Sequence, residues 1–102
     1  MIKYGVYYRK EPHFHVDKSL TKSDVPGKLF AWITTVEVKS KDYIYSMFQG
    51  EQMDPSIKLR LKNLRESMEI PLHTSMSVGD CVKNTRTGTI YQCAPVGWEK
   101  VK

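Results

Sequence analysis

The side chains able to do chemistry in this chain fall into a few groups. His13, His15 and Asp17 alternate along one short stretch, so in extended backbone all three project to the same side. Two imidazoles and a carboxylate can hold zinc or iron with coordination positions left open, which would imply a metal-dependent enzyme. A short His-x-His in a loop is more often surface histidine, and the remaining histidine, His73, cannot be brought near it from sequence alone. Ser77, Gly79 and Asp80 form a second group. Neither Ser75 nor Ser77 is flanked by the glycines of a nucleophile elbow. Gly79 and Asp80 therefore read as a turn, with the aspartate bonding local N–H groups.

Cys81 and Cys93 are too few to make a disulfide framework. As a pair they could form a bridge or a redox switch, but free cysteine usually behaves as a small buried hydrophobe. Lys58, Lys62 and Arg65 recur at i, i+4 and i+7, a basic stripe that could meet phosphates, with Arg60 on the other flank. The same row would serve as the wet face of an amphipathic helix. Tyr7 points away from Tyr4 and Tyr8 on its strand, so it would be partly exposed if the sheet were covered on one face only, and could then stack on a base.

These groups need elements to hold them. Residues 2–9 alternate as a half-buried strand, with Ile2, Tyr4, Val6 and Tyr8 on one face. Periodicity is then lost over residues 10–28, a connection long enough to suggest a function of its own. Alternation returns from Leu29 to Lys39 and places Phe30, Trp32, Thr34, Val36 and Val38 together. Ser40 is a helix N-cap, followed by Asp42 in the first turn and Gly50 as the stop. Asp54-Pro55 opens a second helix with Ile57, Leu61, Leu64 and Met68 as its apolar stripe, and Pro71 ends it. Leu59 lies off that stripe.

Three short strands fit the remainder, around 78–83, 89–93 and 98–101. Gly88 closes a three-residue hairpin loop in the left-handed region, a register that pairs Thr85 with Thr89 and sets Cys81 opposite Cys93. The expected fold is α+β, in the order ββααβββ, with a mostly antiparallel sheet packed against a pair of helices. One domain spans residues 1–102, with residues 74–102 forming a C-terminal meander.

Composition narrows the classes further. A length of 102 residues leaves room for one domain, and 40% hydrophobic with 26% charged residues is ordinary globular content. The net charge of +5 favours acidic partners without naming one. Acidic residues are interspersed among the basic ones, so the excess reads as solubility plus one local strip. The N-terminus has no apolar signal segment, and no apolar run approaches the ~18 residues that span a bilayer. A cytoplasmic setting with no membrane partner and no cofactor is expected.

The C-terminal third carries a more specific pattern: Ser75-Met76-Ser77-Val78-Gly79-Asp80, then Gly88, then Tyr91-Gln92-Cys93, then Gly97-Trp98-Glu99-Lys100-Val101. It resembles the tail of a family of small uncharacterised proteins encoded by tailed bacteriophages and related mobile elements. The segment Tyr45-Ser46-Met47-Phe48-Gln49-Gly50-Glu51 is similar to that family's central helical part. Cys81 stands where valine is frequent, and Trp98 where phenylalanine is also common. The resemblance covers residues 40–101. It implies a host-cell accessory protein that binds a host protein or nucleoprotein, and brings no catalytic motif. Direct nucleic-acid binding through Lys58, Lys62, Arg65 and exposed strand aromatics such as Tyr7 is the alternative.

Overall fold

A computed structural model describes residues 1–11, 15–25, 27–68 and 74–102. Its five strands are β1 (Ile2–Arg9), β2 (Phe30–Val38), β3 (Cys81–Asn84), β4 (Ile90–Cys93) and β5 (Trp98–Lys100). They form one antiparallel sheet in the order β2-β1-β3-β4-β5, so the N-terminal strand is interior, β3 is central, and β2 and β5 are the edges. Two helices, α1 (Ile44–Met47) and α2 (Pro55–Met68), complete the α+β fold. Among the described residues no helix is long and apolar enough to cross a membrane.

The caps fall where the residue types require them. Ser40 Oγ accepts from the Asp42 N–H at 3.1 Å and starts a 3₁₀ turn, Lys41–Tyr43, which leads into α1. Gly50, at φ 36°, ends that segment. Asp54 accepts from the Ser56 N–H at 2.8 Å ahead of α2. Leu61 and Leu64 are buried, Ile57 is half-buried, and Met68 and Leu59 are exposed. The first helix is a single turn, because the 3₁₀ turn Lys41–Tyr43 takes up its start and a second 3₁₀ turn, Gly50–Gln52, follows. Pro71 and His73 lie outside the described residues.

Both faces of the sheet are covered. On the helix side Tyr4, Val6, Tyr8, Ile33, Phe48, Leu61, Met76 and Val82 belong to the main core, where the Tyr8 and Phe48 rings meet edge to face with centroids 6.3 Å apart. On the opposite side residues 15–25 of the connection lie across the sheet as a strap. Its Leu20 and Val25 bury themselves with Phe30, Cys81, Ile90 and Val101 in a second, smaller cluster. Tyr7 is consequently half-buried against that cluster, and its ring folds back over Gly5.

Two phases differ from simple alternation. In β2 the register slips between Val6 and Tyr7: Val6 faces Thr34, Tyr7 faces Trp32, and Ile33 is the extra residue of a bulge. The slip turns Phe30 and Trp32 to the strap side while Ile33, Val36 and Val38 join the main core. Phe30, Trp32, Thr34, Val36 and Val38 therefore do not share a face. Arg60 of α2 seals the bulge. Its guanidinium donates to Ile33 O at 3.2 Å and to Trp32 O at 3.3 Å, and lies 5.2 Å from the centre of the Trp32 ring. Successive carbonyls in a regular strand point to opposite edges. One side chain reaches both here because the bulge has turned them together.

The β3–β4 hairpin is the other correction. Asn84 donates to Thr89 O at 2.8 Å, so the loop is the four residues Thr85 to Gly88 rather than three. Asn84 Oδ1 accepts from the Arg86 and Thr87 N–H groups and stabilises this longer turn. Gly88 does take the left-handed conformation, at φ 77°. The one-residue change pairs Cys81 with Gln92, which moves Cys93 to the opposite face of the sheet.

Candidate functional site

A polar cluster joins the strap to the sheet. Asp80, at the entrance to β3, is 1% exposed. Its Oδ2 accepts from the Ser77 N–H at 2.8 Å, which is the local turn bond expected of it, and its Oδ1 accepts from the Arg9 N–H at 2.8 Å. The Arg9 side chain turns to Asp17 with an Nη1–Oδ2 distance of 3.2 Å, and its guanidinium sits 5.7 Å from the centre of the Phe30 ring. Gln92, 3% exposed, completes the cluster: its Oε1 accepts from the Asp17 N–H at 2.9 Å and its Nε2 donates to Asp17 O at 2.8 Å. A side-chain amide presents the same donor and acceptor as a peptide group, so Gln92 holds Asp17 as a strand rung would.

The expected metal ligands are placed differently. Asp17 Oδ1 accepts from the Ser19 N–H and hydroxyl, and Oδ2 is held by Arg9, so the carboxylate is engaged in anchoring the strap. His15 is exposed and His13 lies outside the described residues. Among the described residues no group of three His, Cys, Asp or Glu is placed to hold a metal.

The bond from the Ser19 hydroxyl is the main cause that lowers the Asp17 carboxyl below its ordinary value, with the Ser19 N–H and Arg9 adding to it against opposing burial. A depressed carboxyl stabilises the fold above its unfolded value of 3.8 and loses that contribution as pH falls through the lower, folded value. Melting temperatures should therefore fall as pH drops below about 4, and Asp17→Asn should fall by less over the same interval. Equal acid sensitivity in the two proteins would refute this role.

Cys81 sits in the strap-side cluster and Cys93 faces the helix side. Burial, reinforced by Asp80, pushes the Cys93 thiol up to about 11 and raises that of Cys81. Iodoacetamide at about pH 8 should label both thiols ~100-fold more slowly in the folded protein than in urea, and diamide should form no bond between them. A disulfide formed without unfolding would contradict the register.

The basic row is shorter than its spacing implied. Lys58 and Lys62 are exposed on α2, but Arg65 is half-buried and donates to Thr74 Oγ1 at 3.1 Å. Gly97, at φ 73°, closes the β4–β5 turn, where Val96 is 92% exposed.

Sequence reasoning did not single out the surface beside that turn. A cleft of about 380 Å³ opens on the helix side of β4 and β5, with Asp42, Tyr45, Val78, Cys93, Pro95 and Trp98 among its walls. Tyr45 and Asp42 are exposed and Trp98 is half-buried. Tyr45 is an outward aromatic between the buried Ile44 and Phe48, the one signal that could have marked it. A smaller cleft of about 200 Å³ lies on the strap side of β5, where Val16, Lys18, Gln92, Glu99 and Val101 meet.

No protein-family model, curated protein or solved structure matches this chain.

Proposed function

We propose that this chain is a small non-enzymatic accessory protein, of the phage or mobile-element type that its C-terminal third resembles, which acts by binding a host protein. The observation that carries this reading is the cleft of Tyr45, Trp98, Pro95 and Asp42. Aromatic rings held by rigid elements supply contact area at low entropic cost, and such rings dominate binding at protein surfaces. Asp80, Asp17, Gln92 and Arg9, by contrast, are engaged with one another and with backbone groups, as parts that hold the strap in place.

The test is capture from host lysate at physiological salt on immobilised wild-type protein and on Tyr45→Ser. A partner retained by the wild type and reduced about tenfold on the variant is the expected result. Failure to retain any partner, or equal retention by both, removes the reading.

The exposed Lys58 and Lys62 favour nucleic-acid binding as a second reading. It requires retention on DNA or RNA that weakens with salt at a log–log slope near −2, the value for about two phosphate contacts. A flat titration at low salt would eliminate it.

A further inference from the structure

We propose that the open edge of β5 accepts an extended segment of the partner as a sixth strand, with an arginine or lysine of that segment entering the cleft of Asp42, Tyr45 and Trp98. The inference rests on the binding reading above and specifies how the binding occurs.

The register defines the edge. Val101 donates to Ile90 O at 2.8 Å and Ala94 to Gly97 O at 3.0 Å. Bonded and non-bonded pairs alternate in an antiparallel ladder. Trp98 and Lys100, opposite Cys93 and Tyr91, are therefore the non-bonded members and turn their N–H and C=O groups away from β4. Among the described residues no backbone group pairs with these positions. One rung further on, the strap N–H of Lys22 donates to Lys102 O at 3.2 Å. The outer edge thus already takes a backbone partner, in the phase an added strand would continue.

The clefts match the alternation of such a strand. A residue opposite Trp98 would project to the helix side, where Tyr45 and Trp98 offer ring faces and Asp42 a carboxylate. Its neighbour would project to the strap side, into the smaller cleft beside Glu99. A cation suits the first position through Asp42 and the two rings. This fold already places cations on rings elsewhere, Lys41 at 4.5 Å from the centre of Tyr91 and Arg60 over Trp32. On the opposite edge Arg60 occupies the Trp32 and Ile33 carbonyls, so a strand added there would lose both acceptors.

Three capped, fluorescein-labelled pentapeptides test the proposal: Val-Thr-Arg-Thr-Val, the same sequence with Glu at the centre, and the same with Ala. The palindromic sequence keeps its register whichever way it runs. Polarisation titrations should show the Arg peptide binding about tenfold more tightly than the Glu peptide. Amide resonances of Trp98 and Lys100 and the Trp98 indole should shift, while the Trp32 indole should not. Lys100→Pro removes an outward N–H without touching the β4 ladder, and should weaken the Arg peptide about tenfold while leaving the melting temperature nearly unchanged.

Equal binding of the three peptides, shifts centred on Trp32, absence of binding by the Arg peptide, or an indifferent Lys100→Pro would each overturn the proposal. So would a concentration-dependent dimer abolished by Lys100→Pro, which would put a second copy on the edge. Lysate capture that depends on Tyr45 but not on Lys100→Pro would leave the binding reading standing and sink strand addition alone. Peptide binding that maps to Trp98, with capture insensitive to Tyr45→Ser, would do the reverse.

Discussion

Replacing Asp80 by alanine is expected to cost about 3–5 kcal/mol of folding stability. The carboxylate is 1% exposed and accepts from two backbone N–H groups, of Ser77 and Arg9, each at 2.8 Å. Alanine would leave both donors in a region from which water is excluded, and that desolvation, more than the lost attraction, sets the size of the effect. For a domain of this length the loss corresponds to a fall of ~15 °C or more in melting temperature. Asp80→Asn keeps one carbonyl acceptor and should lose about half as much. Urea unfolding followed by tryptophan fluorescence measures both. An alanine variant with an unchanged midpoint would show that Asp80 does not join the strap-proximal end of β1 to β3.

Removal of Gln92 comes next in size. Gln92→Ala deletes two hydrogen bonds to the Asp17 peptide group and leaves a cavity, together worth about 2–4 kcal/mol. The consequence should be uneven across the molecule. Leu20 and Val25 stay on the sheet only while the strap is anchored, so hydrogen exchange at 15–25 should rise well before exchange at β1 or α2 does. Gln92→Leu fills the volume without the amide and separates tethering from packing. Unchanged protection of the strap amides in the leucine variant would mean that the apolar cluster holds the strap without Gln92.

The elements themselves were legible in the chain. Alternation in residues 2–9, the Ser40 and Asp54 caps and the left-handed Gly88 each produced the structure their types require, because each depends on near neighbours. The misread features depend on distant ones. Nothing in Ile33-Thr34-Thr35 reveals a bulge, since all three residues favour strands. Whether Thr85 or Asn84 pairs with Thr89 was decided by bonds from Arg86 and Thr87 to the Asn84 side chain, which composition does not display.

Asp80 was readable as a turn residue, and its bond to Ser77 is such a turn. Its second bond runs to a backbone group 71 positions away, beyond any local pattern. Gln92 carried a faint signal, a polar residue between Tyr91 and Cys93 in a strand, but its partner lies in the aperiodic strap. The cleft was hidden for a related reason. Asp42, Tyr45, Pro95 and Trp98 come from two separate segments, which meet only once α1 lies against the end of the β4–β5 hairpin.

The two borders of the sheet are unequal. Open-ended fibre growth by strand pairing needs two adhesive edges per molecule, one to receive and one to pass on. Here Arg60 takes two carbonyls of the β2 border at its bulge, which leaves β5 the less obstructed edge. A pairing made on β5 is therefore harder to pass on through β2. Arg60→Ala would free those two carbonyls, and light scattering in concentrated solution should then show more aggregation than the wild type. On this reasoning, a side chain at one border of the sheet is what makes an unguarded strand at the other border safe to keep.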